Sequence, residues 1–207
     1  MLIKRSAANL TSLVSVFGAV ANTTQGMALL AGLAGSNKTV FAPSNIAFAN
    51  VSSSVAMNTT LLTEILSYHV LNDTYLPAGV AVSPAHTIAR TFLGTPMDGY
   101  MLPGNKTAPL VLSRNETNST SIFVAQALDN VTAMGPVMVA NLAVYIIDEV
   151  LALPNNFTVA GSIADPPLAT LVNMTTFFPR LDAAHEGATV FAPDAMAITK
   201  AMSLSRH

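Results

Sequence analysis

Thr39-Val40-Phe41-Ala42-Pro43-Ser44-Asn45-Ile46-Ala47-Phe48 holds a strand, a break and a helix start within ten residues. Thr39 to Ala42 favour extended backbone, and Pro43 stops the run because it has no N–H to offer a ladder. Ser44 has the side chain of an N-cap, so a helix is expected from there through Phe48. The first half returns as Thr189-Val190-Phe191-Ala192-Pro193, an offset of 150 residues. Ala47 is then matched by Ala197, Ile46 by Met196, Phe48 by Ile198, and Ser12-Leu13 by Ser162-Ile163, while Asp194 takes the capping position of Ser44. Self-similarity at this period predicts tandem domains of about 150 residues. The expected organisation is one complete domain over residues 8–154 and the N-terminal part of a second, cut short, over residues 157–207, with a boundary at Pro154-Asn155-Asn156.

Working outward, Leu10, Leu13, Val16, Phe17 and Val20 recur at helical spacing, which predicts one or two amphipathic helices over residues 10–33, ended by Gly32 and Gly35. Leu61, Leu62, Ile65 and Leu66 form one face of a further helix, preceded by the capping-competent Asn58-Thr59-Thr60. Tyr68-His69-Val70-Leu71 reads as a strand ended by Asn72-Asp73. Further strands are expected at Thr87 to Leu93, Leu110 to Leu112, Ile122 to Val124 and Val137 to Val139, separated by Gly, Pro and Asn clusters. Val144 to Leu151 is apolar on both faces apart from Asp148-Glu149, the pattern of a central strand buried from two sides.

Three of these segments together resemble the fasciclin-like (FAS1) domain of extracellular and cell-surface proteins. Thr39 to Phe48 is similar to that family's first signature, Ser67-Tyr68-His69-Val70-Leu71 to its central Tyr-His pair, and Val144 to Leu151 to its closing signature. The resemblance implies an α+β fold: a FAS1-type β-wedge or sandwich of about seven strands with several helices, followed here by a partial second copy. It also implies a role in adhesion or matrix binding without a cofactor. The sequence departs from the family pattern at Ile46, where an acidic residue is common, and at Asn141-Leu142, where the turn is usually Asn-Gly. The first removes a capping-box partner for Ser44, and the second removes a residue suited to positive φ.

Composition narrows the function independently. Hydrophobic residues make up 51% of the 207-residue chain and charged residues only 10%, with a mean hydropathy of +0.50. The longest apolar run, Pro136 to Ile147, is interrupted by Asn141 and falls short of the roughly 20 residues that a spanning helix needs, so it reads as a core strand pair. Membrane association is therefore expected only through an anchor outside this chain. The missing polarity is supplied by N-x-Ser/Thr triplets at Asn9, Asn22, Asn37, Asn50, Asn58, Asn72, Asn105, Asn115, Asn118, Asn130, Asn156 and Asn173. Twelve of fifteen asparagines sit in such triplets, where chance would place roughly two or three. Glycans are bulky, hydrated and confined to the surface, so a glycoprotein is expected, the plainer alternative being an Asn- and Thr-rich surface. Met1 to Ser6 lacks the apolar stretch of a signal peptide, so the chain is expected to be a piece of a longer secreted product, the alternative being that it is not glycosylated, and Lys4-Arg5 reads equally as a dibasic processing site or a chance dipeptide.

Catalytic constellations are not evident. With no cysteine there is no disulfide framework, thiol nucleophile or Cys-ligated metal. His86, His185 and His207 are scattered, and neither an H-E-x-x-H run nor a G-x-S-x-G elbow occurs. Asp148 and Glu149, as neighbours on an expected strand, would diverge and could not flank one bond. A net charge of −2 with no basic cluster gives no case for nucleic acid. Tyr68 and His69 remain as the candidate pair. The resemblance associates them with receptor binding, whereas strand geometry would turn at least one of them into the core, where His69 would bond to polar groups such as Ser44 or Asn45. The expected function is that of a non-catalytic extracellular or cell-surface adhesion glycoprotein, whose partners are matrix or cell-wall proteins and polysaccharides or a cell-surface receptor. The alternatives are a vacuolar or lumenal structural glycoprotein and, from another class, a hydrolase with an unrecognised site, which a deep pocket of convergent acidic or His groups would favour.

Overall fold

The computed structural model describes residues 10–94, 100–102, 104–116, 120–126, 129–155 and 195–204. Two compact units are present, one spanning most of residues 1–153 and the other mainly Pro154–His207. In the second unit the described element is a helix, Ala195–Leu204, which begins immediately after Asp194. The repeated pentapeptide Thr189 to Pro193, together with Asn9, Asn118, Asn156, Asn173, His185 and His207, lies outside the described residues.

The first unit opens with helices α1 (Thr11–Val20) and α2 (Thr24–Gly35), then β1 (Lys38–Pro43), α3 (Asn45–Ala49), α4 (Ser53–Ala56), α5 (Thr59–Tyr68) and β2 (Val70–Leu71). Strands β3 (Thr87–Arg90), β4 (Pro109–Ser113), β5 (Ser121–Ala125), β6 (Asn130–Val139) and β7 (Leu142–Ile147) follow. Local chemistry explains the helix starts. The side-chain oxygens of Thr23, Ser44 and Asn58 accept the backbone N–H of Gly26, Ala47 and Leu61 at the heads of α2, α3 and α5. α1 has no cap of its own, and Asn45 Oδ1 provides one from α3 by accepting the Ser12 N–H at 2.9 Å.

The seven strands form one sheet in the order β2-β1-β7-β6-β5-β4-β3. β7, the last strand made, lies between β1 and β6, parallel to the first and antiparallel to the second. The sheet curls until its edges meet: Leu71 bridges Thr91, Asn72 N–H donates to Arg90 O at 2.8 Å, and Phe92 N–H donates to Val70 O at 2.9 Å. The result is a nearly closed β-wedge in an α+β fold.

Alternation along the strands divides the apolar residues between two cores. Phe41, Leu71, Ala89, Leu110, Leu112, Ile122, Val124, Val131, Ala133, Ala143, Tyr145 and Ile147 fill the interior of the wedge. Their neighbours Val40, Ala42 and Val70, with Leu142 and Val144 behind them, pack outward under Leu13, Val20 and Leu29 of α1 and α2 and Leu62 and Leu66 of α5. Helices thus cover the outer face of β2, β1 and β7. That explains why β1 is buried along its whole length and why β7 carries apolar residues on both sides.

Several local expectations are corrected. Tyr68 ends α5 and His69 is its C-cap, with φ −82° and ψ −5°, so the strand that follows is only Val70–Leu71. The helix runs on because Leu62, Leu66 and His69 keep the buried stripe at helical spacing. Gly32 lies inside α2 and does not end it: a Cβ there would stand 2.5 Å from Phe92 Cε2, so glycine admits the ring. β6 begins at Asn130, well before Val137, and passes through Gly135-Pro136 by a register shift between Met134 and Val137. β7 stops at Ile147, and Asp148 and Glu149 are exposed in the bend beyond it. The two-residue β6–β7 turn is Ala140-Asn141, in which Ala140 takes the positive φ of 52°.

Candidate functional site

The Tyr68-His69 pair sits where helix α5 hands over to the sheet. Both side chains are buried, at 6% and 1% exposure. Nε2 of His69 accepts the backbone N–H of Leu151 at 2.9 Å, and Nδ1 lies 2.7 Å from Ile65 O. A nitrogen that accepts carries no proton, so the ring is the neutral tautomer with its hydrogen on Nδ1, donated to Ile65 O. Burial pushes the imidazole pKa down from 6.5 to about 4, with the bond to the Ile65 carbonyl opposing the shift. The backbone takes part as well, since Phe41 N–H of β1 donates to His69 O at 2.9 Å. Ser44 and Asn45, expected as partners of His69, are spent elsewhere: Ser44 caps α3, and Asn45 joins α3 to α1.

Tyr68 points into the wedge interior, and its hydroxyl donates to Pro109 O at 3.4 Å. Burial raises its pKa to about 12, partly offset by a hydrogen bond with the Gln126 side chain. Beside it, Tyr145 donates to Tyr75 O at 2.8 Å and stacks at a tilt on Phe41, with ring centroids 5.8 Å apart. These groups are neutral, mutually satisfied and enclosed. They hold the helix, β1 and the closing segment at Leu151 in register, and none of them faces solvent as a nucleophile or base would.

Lys38, which no sequence pattern singled out, is also buried, at 8% exposure. Its ammonium donates to Asn72 O at 3.1 Å and to Ser36 Oγ, and lies 5.5 Å from the centroid of the Phe92 ring. It ties the start of β1 to the turn after β2.

The described sequon asparagines lie at the surface. Eight of the twelve fall among the described residues (Asn22, Asn37, Asn50, Asn58, Asn72, Asn105, Asn115 and Asn130), and all eight are exposed. Of the three asparagines outside sequons, Asn45 and Asn141 are half-buried with their amides committed to the fold, and Asn155 is exposed. Asn72 is the mixed case: exposed overall, it donates Nδ2 to Thr91 O at 2.8 Å.

Beyond the helix-covered strands, the outer face of β4, β5 and β6 carries half-buried and exposed residues. A cavity of about 470 Å³ opens there, lined by Ser83, Ser113, Asn115, Glu116, Phe123 and Asn130. Sequence reading missed it because its rim comes from four separated segments. Among the described residues its lining includes one carboxylate, Glu116, and no histidine, whereas hydrolysis of a glycosidic bond by the usual route uses two carboxylates facing each other. Among the described residues, no three of His, Asp or Glu are grouped to hold a metal ion, and no helix is long and apolar enough to cross a membrane.

Comparison with protein families matches residues 12–154 to the fasciclin domain. Comparison with curated proteins finds no match. Among solved structures, the chain is similar to a FAS1 domain pair from the insect cell adhesion molecule fasciclin I, at 22% sequence identity and a TM-score of 0.52. The similarity covers 84% of this chain and 56% of that one, so this chain spans little more than half the length of the structure it matches. At that identity the likeness concerns the fold.

Proposed function

The chain belongs to the fasciclin domain family, whose domains are associated with cell adhesion, and from that premise we propose that it is a non-catalytic adhesion or matrix-binding glycoprotein of the cell surface or extracellular space. In this reading residues 157–207 are the opening part of a second such domain, and the partners are matrix or cell-wall proteins and polysaccharides or a surface receptor. The observation that carries the proposal is the exposure of all eight described sequon asparagines on a chain with only 10% charged residues. Solubility then comes from sugars, and the contact surface is whatever the sugars leave open. Tyr68 and His69 act in this reading as positioning residues, because both are enclosed and their polar atoms are satisfied within the domain.

The test is expression in a eukaryotic secretory host, followed by intact mass before and after enzymatic removal of N-glycans. A ladder of glycoforms that collapses to the bare 21.5 kDa chain is expected. Retention of the glycosylated protein on insoluble matrix and cell-wall fractions, measured against an unrelated glycoprotein of similar charge, tests the adhesive role. A secreted product with the bare mass, or retention no greater than that control, would sink the proposal.

A further inference from the structure

The cavity on the outer sheet face has a specific composition and a specific neighbour. Burial alternates along β4, β5 and β6, so Leu112, Val124 and Val131 point into the wedge while Ser113, Phe123 and Thr132 point out. The register places these three in one row: Ser113 is opposite Phe123, and Phe123 is opposite Thr132. Thr132 is the third residue of the sequon Asn130-Val131-Thr132. Asn130 therefore lies on the same face as Phe123, one diagonal away, and diagonal cross-strand neighbours are roughly 7–8 Å apart, within reach of an aromatic ring. Both residues line the cavity.

The remaining wall is polar and held in place. Ser83 N–H donates to Arg114 O at 2.9 Å, Arg114 N–H to Ala81 O at 3.0 Å, and the Arg114 side chain to Val80 O at 2.9 Å, which fixes the segment before Pro84 alongside β4. Ser83, Ser113 and Glu116 line the cavity together with the half-buried ring of Phe123. That combination suits a pyranose. One side of the sugar ring is a plane of C–H bonds, whose partial positive charge is attracted to the negative face of an aromatic ring. Its rim carries hydroxyl groups, which both donate and accept. The cavity volume falls within the range of small-molecule sites.

We propose that this cavity seats the first sugars of an N-glycan attached to Asn130, with Phe123 as the stacking face and Ser83, Ser113 and Glu116 as hydrogen-bonding partners. The inference rests on the glycoprotein reading above and goes beyond it by naming one sugar and its seat. Asn115 also lines the cavity, but Asn130 is the sequon whose strand register sets it diagonal to Phe123. The glycan would cover the outer face of β4 to β6 as the helices cover that of β1 and β7, and the Asn130 side chain would act as a fixed tether. A glycan held this way stabilises the domain, and its contribution disappears when the aromatic face is removed.

The test uses the full chain from a eukaryotic secretory host, as wild type, Asn130→Gln, Phe123→Leu and the double variant. Phe123→Leu keeps an apolar side chain and removes the π face. Glycopeptide mass spectrometry first reports the occupancy of each sequon. Occupied sequons elsewhere with Asn130 bare overturn this inference and leave the glycoprotein reading intact, while a chain bare at every sequon overturns both. With Asn130 occupied, Asn130→Gln is expected to lower the folding equilibrium constant roughly threefold to tenfold when Phe123 is present and to leave it unchanged in the Phe123→Leu background. An equal effect in both backgrounds refutes the stacking. NMR supplies a readout independent of stability: the ring protons of the Asn130-linked N-acetylglucosamine should shift upfield in wild type and return to ordinary values in Phe123→Leu. Unshifted protons in wild type refute the seat, as does binding of free N,N′-diacetylchitobiose to the glycosylated wild type as tightly as to Asn130→Gln.

Discussion

Nε2 of His69 accepts the backbone N–H of Leu151 at 2.9 Å, joining residues 82 positions apart through a neutral ring. The same ring donates from Nδ1 to Ile65 O, one helical turn back. One side chain thus finishes α5 and anchors the segment that follows β7. His69→Ala leaves the Leu151 N–H buried without a partner and opens a cavity between two cores. Together these should cost about 3 kcal/mol or more. Urea unfolding measures it, and a variant of unchanged stability that has lost partner binding would restore a direct contact role.

The low pKa of His69 makes stability depend on pH in a known direction. Between pH 6.5 and about 4 the unfolded chain takes up a proton that the folded chain refuses. The contribution is complete above pH 6.5 and declines as pH falls through that window. At about 1.4 kcal/mol per pH unit the loss approaches 3 kcal/mol by pH 4. A pH series of denaturant midpoints should show this slope in wild type and a flatter one in His69→Gln, which removes the titrating group. Superimposable slopes would contradict the assignment.

Ala140 holds a positive φ in the β6–β7 turn, the conformation that L-residues other than glycine resist by roughly 1–2 kcal/mol. Glycine relieves that strain but adds freedom to the unfolded chain, worth about 0.5–1 kcal/mol in the opposite direction. Ala140→Gly should therefore stabilise the domain by up to about 1 kcal/mol, read as a higher melting temperature. A lower one would mean that the methyl group packs usefully at the tip.

Gly26, in the first turn of α2, behaves oppositely. A Cβ there would stand 2.0 Å from the carbonyl oxygen of Val20, a backbone atom that cannot swing aside. Gly26→Ala should displace the α1–α2 connection and cost about 1–3 kcal/mol, as overpacking does. Thermal unfolding compared with Gly18→Ala, where a Cβ meets nothing within 4 Å beyond its own helix backbone and chain neighbours, isolates the clash.

Much of this architecture was legible because the relevant chemistry is local. The strand, break and cap at Thr39 to Ser44, the cap at Asn58 and the two apolar faces of β7 are each decided by a few adjacent residues. Tyr68 and His69 read as a strand in the sequence because aromatic and β-branched neighbours suggest extension. What decides their conformation is the stripe Leu62, Leu66 and His69 meeting the closing segment at Leu151, which no local pattern encodes. β6 is longer than its sequence suggests for a similar reason, since Gly135-Pro136 looks like a terminator, whereas the strand passes it by shifting register. The cavity beside Phe123 has no local signature, because only the β5–β6 pairing sets that ring beside a sequon.

The placement of β7 between β1 and β6 has a consequence in time. During synthesis the sheet lacks its middle until Ile147 has emerged, and the β1–β7 pairing must close a loop of about a hundred residues, which makes it a slow step. Every sequon from Asn22 to Asn130 precedes that moment in the chain, so in the proposed glycoprotein each would meet the glycosylating machinery before the sheet around it can close.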